Sequence, residues 1–258
     1  MTSENQKFFL EGLKLLSIKL DERQLEQFSI YLDELKKWNG RFNLIGPATD
    51  EEIIKRHFLD SLSVLSAFTT SYSRSLSRTA MRGSPTLKGG LQVGGYNPIP
   101  TFVLDIGSGA GFPGIPVKIA LPEISLTLLD SSKKKTEFLR HLCKKLDIKA
   151  EIICGRAETM AKLSTHRSKY DFVVARAVAK LSTAEELCMP FLKNSGTLIL
   201  QTGNKTDIRL KNGEIMEKFQ PPEKILPGRA VLSIRKKKHW IYPAPPEKTF
   251  RRGGVYAY

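Results

Sequence analysis

The first 67 residues carry apolar side chains three and four positions apart, which is the spacing of one helical face. The apolar positions are Phe8, Leu10, Leu13, Leu15 and Leu16, then Leu25, Phe28, Tyr31, Leu32, Leu35 and Trp38, and finally Ile53, Ile54, Phe58, Leu62 and Leu65. Segments of this kind bury one face and expose the other. The pattern predicts three amphipathic helices in an N-terminal helical extension, residues 1–67.

The segment 68–100 interrupts this pattern because it is rich in Ser, Gly and Pro. It contains no acidic residue, and its basic residues are Arg74, Arg78, Arg82 and Lys88. A segment of such composition buries too little apolar surface to offset the entropy lost on ordering. The sequence therefore predicts a flexible, basic insertion between the helical extension and the rest of the chain.

Beyond residue 100, short apolar runs alternate with stretches of helical spacing. The predicted strands are 101–106, 125–130, 150–154, 171–175 and 196–202, and the predicted helices are about 113–121, 132–146 and 180–192. Strands that alternate with helices form a parallel sheet covered on both faces, with ligands at the carboxyl ends of the strands. The predicted fold class is α/β, with a main domain over residues 101–236.

Charge adds a candidate partner to this picture. The 258 residues include 41 Lys and Arg against 26 Asp and Glu, a formal net charge of +15. The surplus grows toward the C-terminus, where the basic tail 237–258 also carries Trp240, Tyr242 and Phe250. Basic residues interleaved with aromatic ones are typical of nucleic-acid binding, since they combine charge contact with stacking. A merely solvated chain end is the alternative.

Cysteine usage and hydropathy exclude other classes. Cys143, Cys154 and Cys188 have no CxxC spacing, so we expect no metal site and a reducing compartment. No stretch approaches the roughly 18 apolar residues that a membrane helix requires. The sequence thus predicts a cytoplasmic protein without membrane contact.

The segment TFVLDIGSGAGFPG, residues 101–114, is an apolar strand that runs into a glycine-rich turn before a helix. Read from Gly109, the turn satisfies GxGxxG, and Asp130 lies at the end of the next strand, where an acid binds ribose hydroxyls. A dinucleotide site, and with it an NAD-linked oxidoreductase, is therefore one interpretation.

Two residues favour S-adenosylmethionine instead. Asp105 lies on the strand before the first glycine, and Pro113 occupies the helix start, where a pyrophosphate would need free N–H groups. S-adenosylmethionine has no phosphate to cradle, so we expect Asp105, Gly107, Gly109 and Asp130 to bind it. The alternative role of the two acids is to cap turns and helices. An RNA-binding protein with a degenerate cofactor pocket also stays open.

A second polar group is Arg56, His57, Asp60 and Ser61, whose spacings of three and four place them on one helical face. All four lie on about one turn, so they cannot form a hydrolytic triad around a substrate carbonyl. Two interpretations stay open: a buried polar network that fastens the N-terminal helices to the sheet, and a group that positions the substrate.

With these residues in view, the chain resembles the bacterial 16S ribosomal RNA guanine-N7 methyltransferases, also called glucose-inhibited division protein B. The motifs that carry the resemblance are Lys37-Trp38-Asn39, Phe42-Asn43-Leu44, the 56–61 group, the 104–116 glycine loop, Leu129-Asp130-Ser131, Gly155-Arg156-Ala157-Glu158 and Arg176-Ala177. The resemblance implies a Rossmann-like class I methyltransferase fold with a seven-stranded, mostly parallel sheet, and S-adenosylmethionine as cofactor. It also implies a partner, 16S ribosomal RNA or a small ribosomal subunit precursor, and action as a monomer.

The resemblance also assigns roles to residues. The cofactor contacts that it implies, in addition to the acids and glycines above, are Phe112, Ala157, Glu158 and Arg176. The catalytic residues that it implies are Arg176, His57 and Asp60, and the substrate-binding residues are Arg56, Ser61, Lys134, Arg156 and Arg229. For Lys134, a solvated helix face is the alternative, and for Arg176 a structural ion pair.

The implied reaction is consistent with the residues that the chain lacks. Guanine N7 carries an in-plane lone pair and no proton, so the enzyme needs alignment and charge stabilisation rather than a general base. Methylation of exocyclic amines is disfavoured, because the site after the fourth strand reads Ala175-Arg176-Ala177-Val178 instead of a proline-rich tetrad. Two departures from the family are the inserted segment and Thr202, which stands where the family usually has lysine.

Overall fold

In the computed structural model the described residues are 1–68, 101–176, 181–203, 210 and 213–237. The predicted insertion and basic tail therefore lie outside the described residues, except for Phe68 and Lys237 at their starts. Lys236, which directly precedes the tail, ends a strand and is only 6% exposed. Its Nζ donates a hydrogen bond to the carbonyl of Leu192 at 2.7 Å, and burial lowers the pKa of its ammonium group. Lys236 is thus part of the core and not of a basic surface.

The N-terminal extension forms the three predicted helical segments. They are α1 (Ser3–Leu15), α2 (Glu22–Phe42), and a third segment made of α3 (Asp50–Ile53), a π-helical stretch (Ile54–Leu59) and α4 (Asp60–Leu62). A capping box starts α2, because Asp21 and Gln24 exchange side-chain to backbone hydrogen bonds. Asn43 ends α2 in the left-handed conformation, with φ +48°.

Over the described residues the sheet has seven strands, the number that the family resemblance implies. They are β1 (Phe102–Ile106), β2 (Ser125–Asp130), β3 (Ala150–Cys154), β4 (Tyr170–Arg176), β5 (Leu192–Gly203), β6 (Gly213–Phe219) and β7 (Arg229–Lys236). Their order is β3-β2-β1-β4-β5-β7-β6, in which β1 to β5 pair parallel and β7 pairs antiparallel with both β5 and β6. The strand order reverses at β1 and β4, where α/β sheets bind ligands.

Within the described part of the chain, four helices connect the strands. They are α5 (Gly114–Ala120), α6 (Lys133–Lys145), α7 (Ala157–Met160) and α8 (Leu181–Cys188). The last is shorter than the predicted 180–192, because a 3-10 turn (Met189–Phe191) that contains Pro190 follows it and leads directly into β5. No helix in the described part of the chain is both long and apolar enough to cross a membrane.

Neighbouring residues of the central strands contribute to two cores, one on each face of the sheet. Val103 of β1 belongs to the core that contains the N-terminal helices, α5 and α6, whereas its neighbour Leu104 belongs to the core under α8. In the first core the ring of Phe58 lies 5.1 Å from Phe28 and 6.0 Å from Phe112, centroid to centroid. The helical extension and the sheet therefore share one hydrophobic core.

Candidate active site

The glycine loop follows β1 at the carboxyl edge of the sheet. Gly107 has φ +73°, and a Cβ built on it would meet no atom within 4 Å. The amides of Gly107 and Ser108 donate to the carbonyl of Leu129 at 2.8 and 3.1 Å, which ties the loop to the end of β2. The loop thus presents backbone to open space at Gly107, as a site for close approach of a ligand requires.

Two other loop glycines serve packing instead. A Cβ on Gly111 would lie 2.7 Å from the hydroxyl of Tyr31, and a Cβ on Gly114 would lie 2.7 Å from a carboxylate oxygen of Asp105. Interiors packed to this density have no room for an added methyl group. The expectation that glycines let the ligand approach therefore applies to Gly107, whereas Gly111 and Gly114 let the protein pack against itself.

The two predicted acids lie at the ends of neighbouring strands and hold the loop. Asp130 accepts hydrogen bonds from the amides of Gly109 and Ser132, both at 2.8 Å. Asp105 accepts from the amide of Gly114 at 2.8 Å through Oδ2. Both acids therefore have the turn-bonding role named as the alternative, and their contact with a cofactor stays a prediction.

Asp105 keeps one oxygen unused. Its side chain is fully buried, and Oδ1 has no hydrogen-bond partner among the described residues. Burial raises the pKa of this carboxyl to about 7, although the hydrogen bond from Gly114 and the nearby Arg176 act in the opposite direction. A buried acceptor without a partner is costly, so it marks a place where a donor group of a ligand would be stabilised. Together with the open space at Gly107, this orphaned oxygen fits a ligand that carries a cationic ammonium group.

Phe112, predicted to contact the cofactor, lies in an aromatic cluster beneath the loop and is 2% exposed. Its ring is nearly parallel to that of Tyr31, at 5.2 Å and 10°, and to the imidazole of His57, at 4.8 Å and 25°. The guanidinium of Arg176 lies 5.0 Å from the ring centroid, within the range of a cation–π contact. Phe112 thus connects the loop to the polar group at His57 and Arg176.

Arg176 ends β4 and reaches the helical extension. Its Nη1 donates to the carbonyl of Arg56 at 3.3 Å, and its Nη2 donates to Nδ1 of His57 at 3.2 Å. Desolvation by burial is the main cause that lowers the pKa of this guanidinium. These contacts bring Arg176 next to His57, and the catalytic role that the resemblance implies for both residues stays a prediction.

His57 is a neutral imidazole in this setting. Burial lowers its pKa to about 3, and the positive charge of Arg176 acts in the same direction. Because Nδ1 accepts the hydrogen bond from Arg176, the proton of the neutral ring is on Nε2. His57 can therefore donate a hydrogen bond, but it is a poor proton acceptor at Nδ1.

Asp60 is almost completely buried between two arginines. Its Oδ2 lies 3.5 Å from Nη2 of Arg229 and 3.9 Å from Nη1 of Arg176, and it has no hydrogen-bond partner among the described residues. Burial raises the pKa of the carboxyl, whereas the two arginines lower it. The backbone carbonyl of Asp60 accepts a hydrogen bond from the side chain of Gln201, which links the helix to β5. Asp60 and its partners thus connect the helices to the sheet, and Oδ2 of Asp60 is left without a hydrogen-bond partner among the described residues.

The prediction that four polar residues share one helical face is wrong for Arg56. Its side chain is 65% exposed and forms an ion pair with Glu52 at 3.2 Å, whereas Asp60 and Ser61 are buried. This part of the third helical segment is π-helical, so the regular α-helical periodicity that the prediction assumed does not apply to it. Ser61 keeps a buried hydroxyl without a partner among the described residues.

The remaining predicted residues lie around this centre without joining it. Ala157 and Glu158, both half-buried, start α7 after β3, and Arg156 is exposed immediately before them. Lys134 is exposed on the first turn of α6, with its Nζ 5.8 Å from the ring centroid of Phe42. Their contacts with cofactor or substrate stay predictions.

A cavity of about 440 Å³ lies next to the cluster formed by Asp60, Arg176 and Arg229. It lies between the helical segment that starts at Asp50 and the chain that leads into β7. Its lining residues are Glu51, Glu52, Lys55, Arg56, Ile225, Leu226, Pro227 and Arg229. Arg229 belongs to both, because it lines the cavity and its guanidinium approaches Asp60. Two predicted substrate residues, Arg56 and Arg229, therefore meet in one cavity.

Sequence reasoning missed two residues of the site. Tyr31 was counted only as an apolar-face position of α2, although a buried tyrosine hydroxyl needs a partner and this one donates to the carbonyl of Ala110 at 2.6 Å. Gln201 directly precedes Thr202, the position where the family usually has lysine, and its place at the end of β5 puts its side chain against Asp60. Among the described residues, no cluster of His, Cys, Asp or Glu is arranged to hold a metal ion.

The chain is similar to known proteins over most of its length. The family model described as rRNA small subunit methyltransferase G (GidB) matches residues 24–76 and 92–225. Proteins named Ribosomal RNA small subunit methyltransferase G are similar along most of their length. The protein from Lachnoclostridium phytofermentans is 37% identical over 207 residues, covering 80% of this chain and 74% of its own. The protein from Acetivibrio thermocellus is 38% identical over 203 residues, covering 78% and 72%.

These matches decide between the functional classes that the sequence left open. The family is one of S-adenosylmethionine-dependent methyltransferases. The chain is therefore a methyltransferase, and the other two interpretations, an NAD-linked oxidoreductase and an RNA-binding protein with a degenerate cofactor pocket, are wrong. The unmatched residues 77–91 fall inside the predicted insertion. The chain belongs to the rRNA small subunit methyltransferase G family.

Proposed function

We propose that the chain transfers a methyl group from S-adenosylmethionine to N7 of a guanine in 16S ribosomal RNA. The observation that carries the choice of N7 is the state of His57, whose Nδ1 accepts a hydrogen bond from Arg176 and whose pKa burial lowers to about 3. An imidazole in this state is unsuited to general-base catalysis near neutral pH. Guanine N7 has no proton to lose, so this site suits it better than an exocyclic amine.

The cofactor supplies an electrophilic methyl group on a sulfonium. The residues proposed to hold it are Asp105, Gly107, Gly109, Phe112, Asp130, Ala157, Glu158 and Arg176. Asp105 supports this proposal through its orphaned oxygen, and Gly107 through the open space beside its backbone. Phe112 and Asp130 support the loop from below, since Phe112 is 2% exposed and both oxygens of Asp130 bond to amides.

Arg176, His57 and Asp60 are proposed to act by aligning the base with the donor and by stabilising charge. Asp60 is proposed to offset the positive charge that N7 methylation leaves on the base, because its buried carboxylate has an oxygen without a hydrogen-bond partner. The guanidinium groups of Arg176 and Arg229 favour its ionised form, against the burial that raises the pKa of the carboxyl. His57 is proposed to donate from Nε2 to an acceptor on the base edge, such as guanine O6.

The RNA-facing residues are proposed to be Arg56, Ser61, Lys134, Arg156 and Arg229. Support for Arg56 and Arg229 comes from their shared cavity beside Asp60, and support for Lys134 comes from its position next to the exposed ring of Phe42. Basic and aromatic side chains side by side bind phosphate and stack on bases. The proposed partner is 16S RNA, free or in a small-subunit precursor, and the protein is proposed to act as a cytoplasmic monomer.

The test is methyl transfer with purified protein, labelled S-adenosylmethionine, and small subunits or 16S RNA from a strain that lacks the gene. We expect label in one guanosine, released as 7-methylguanosine on nuclease digestion and mass spectrometry. RNA from the parent strain is the control, since its site is already modified. Label in an exocyclic amine, a ribose or a pyrimidine contradicts the proposal for N7.

A further inference from the structure

We propose that Tyr31 is a positioning residue of the donor site: from the N-terminal helix α2, its hydroxyl holds the glycine loop in the conformation that binds S-adenosylmethionine. Tyr31 is fully buried, and its hydroxyl donates to the carbonyl of Ala110, in the middle of the loop, at 2.6 Å. The two residues are 79 positions apart in the chain. The bond therefore ties the helical extension to the loop and not to a neighbouring turn.

The loop is fastened on two sides. On the β2 side, the carbonyl of Leu129 accepts from Gly107 and Ser108, and the carboxylate of Asp130 accepts from Gly109. On the α2 side, Tyr31 supplies the hydrogen bond to the carbonyl of Ala110. Loss of the Tyr31 hydroxyl would leave that buried carbonyl without this donor, while the β2 side stays intact.

Packing makes the Tyr31 contact specific. The ring of Tyr31 stacks on Phe112 at 5.2 Å and 10°, and a Cβ on Gly111 would lie 2.7 Å from the Tyr31 hydroxyl. Tyr31 thus bonds to Ala110, stacks on Phe112 and leaves no room for a side chain at Gly111 between them. This close packing favours one conformation of the loop, because a protein interior packed at native density has few voids into which the loop could move.

The restraint reaches the ligand-facing part of the loop through backbone hydrogen bonds. The carbonyl of Ser108 accepts from the amides of Gly111 and Phe112 at 2.7 and 3.0 Å. Gly107, which presents its backbone to open space, directly precedes Ser108. A shift of Ala110 would therefore move Ser108 and change the backbone that the donor meets. Tyr31 does not need to touch the donor to affect its binding.

The test compares two tyrosine-to-phenylalanine variants that each remove one buried hydroxyl. Tyr31→Phe removes the contact with Ala110. Tyr170→Phe is the matched control, because Tyr170 is equally buried but lies at the start of β4, where its hydroxyl is 3.3 Å from Nδ1 of His166. The readouts are the dissociation constant of S-adenosylhomocysteine by calorimetry and the melting temperature without ligand. Neither depends on which nucleotide of RNA is methylated.

We expect Tyr31→Phe to raise the dissociation constant about fivefold to tenfold, which corresponds to roughly 1 kcal/mol, a typical contribution of one hydrogen bond. Both variants are expected to lower the melting temperature to a similar extent. Tyr170→Phe, however, is expected to keep the wild-type dissociation constant. Wild-type affinity in Tyr31→Phe overturns the proposal. Equal weakening of binding in both variants also overturns it, since that result shows a general loss of stability.

A second measurement covers a Tyr31→Phe protein too unstable for calorimetry. Hydrogen exchange of the loop amides in the wild-type protein, with and without S-adenosylhomocysteine, is compared with exchange of the amides around Ile119, whose carbonyl α2 also contacts through Gln24. Ligand-dependent protection at the amides of Gly111 and Phe112 supports the proposal. Unchanged exchange at these two amides on ligand binding contradicts it.

Discussion

Nη2 of Arg176 lies 3.2 Å from Nδ1 of His57 and links the end of β4 to the third helical segment, 119 residues earlier in the chain. An arginine has only donor groups, so His57 must accept at Nδ1 and keep its proton on Nε2. The contact therefore fixes the tautomer of the imidazole before any substrate binds. A methyl transfer to an atom without a proton is compatible with this arrangement, whereas a reaction that needs a histidine base is not.

Arg176 is expected to matter more for turnover than for stability. Arg176→Ala removes the charge beside Asp60 and the donor to His57, and loss of a positioned charged donor typically costs about 10²-fold or more in rate. Single-turnover methyl transfer and the melting temperature are measured for each variant. The control is Arg23→Ala, since Arg23 forms an exposed ion pair with Asp147. A rate loss that only follows the loss of melting temperature would make Arg176 a structural ion pair.

The half-buried, neutral imidazole of His57 predicts an acid-sensitive fold. The folded-state pKa of about 3 lies below the ordinary 6.5, so the unfolded chain binds a proton that the folded protein does not. Stability from this difference is present above pH 6.5 and is lost as the pH falls toward 3. Urea unfolding between pH 7 and 4 should show a smaller loss for His57→Gln than for the wild type. Parallel curves for the two proteins would contradict the low pKa.

Asp105 predicts proton release when the cationic donor binds. Burial raises its pKa to about 7, so the carboxyl is partly protonated near neutral pH, and a nearby cation favours the ionised form. Donor affinity should therefore increase with pH up to about 7. Calorimetry in buffers of different ionisation enthalpy measures the released protons. Asp105→Asn should abolish this release, whereas Asp171→Asn should not, because Asp171 pairs with Lys193 instead. Equal proton release in all three proteins refutes the assignment.

Gly107→Ala tests the open backbone of the loop. Alanine at φ +73° costs about 1–2 kcal/mol of strain, and the added methyl group meets no protein atom, so the fold should persist while donor binding is lost. Gly228→Ala is a matched control, with φ +68° and equally open surroundings in the turn before β7. It should show the same strain and wild-type binding. Retained affinity in Gly107→Ala would show that the ligand does not approach this backbone.

The basic insertion and tail are expected to bind RNA backbone and to leave donor binding unchanged. The insertion carries Arg74, Arg78, Arg82 and Lys88 without an acid, and the tail carries basic residues beside aromatic ones. Each phosphate contact contributes a slope of roughly 0.7 to the dependence of log affinity on log salt for single strands. Deleting residues 69–98, or changing Lys237, Lys238, Arg251 and Arg252 to Gln, should flatten this slope. An unchanged slope with lost donor affinity would place these segments in the donor pocket.

The sequence by itself determined the local elements and the type of fold. Helical spacing of apolar residues identified the three N-terminal helices, and alternating strands and helices identified the parallel sheet, because both patterns depend on neighbours a few positions apart. The glycine loop and its two acids were also recognisable, since Asp105 and Asp130 fall at the ends of consecutive strands. The pairing of the last two strands, β6 and β7, could not be predicted from the sequence. The register of these antiparallel strands depends on partner residues that are not neighbours in the chain.

Only the tertiary structure decided which partners the polar residues contact. Arg56 is exposed and Asp60 is buried, although their spacing predicted a common face. Gln201 meets Asp60 across 141 positions of chain, and Tyr31 meets Ala110 across 79. Contacts between residues this far apart leave no periodic trace in a single sequence, because each side chain follows its own local pattern. Which buried hydroxyl, amide or carboxylate finds which partner is settled when the two hydrophobic faces pack together.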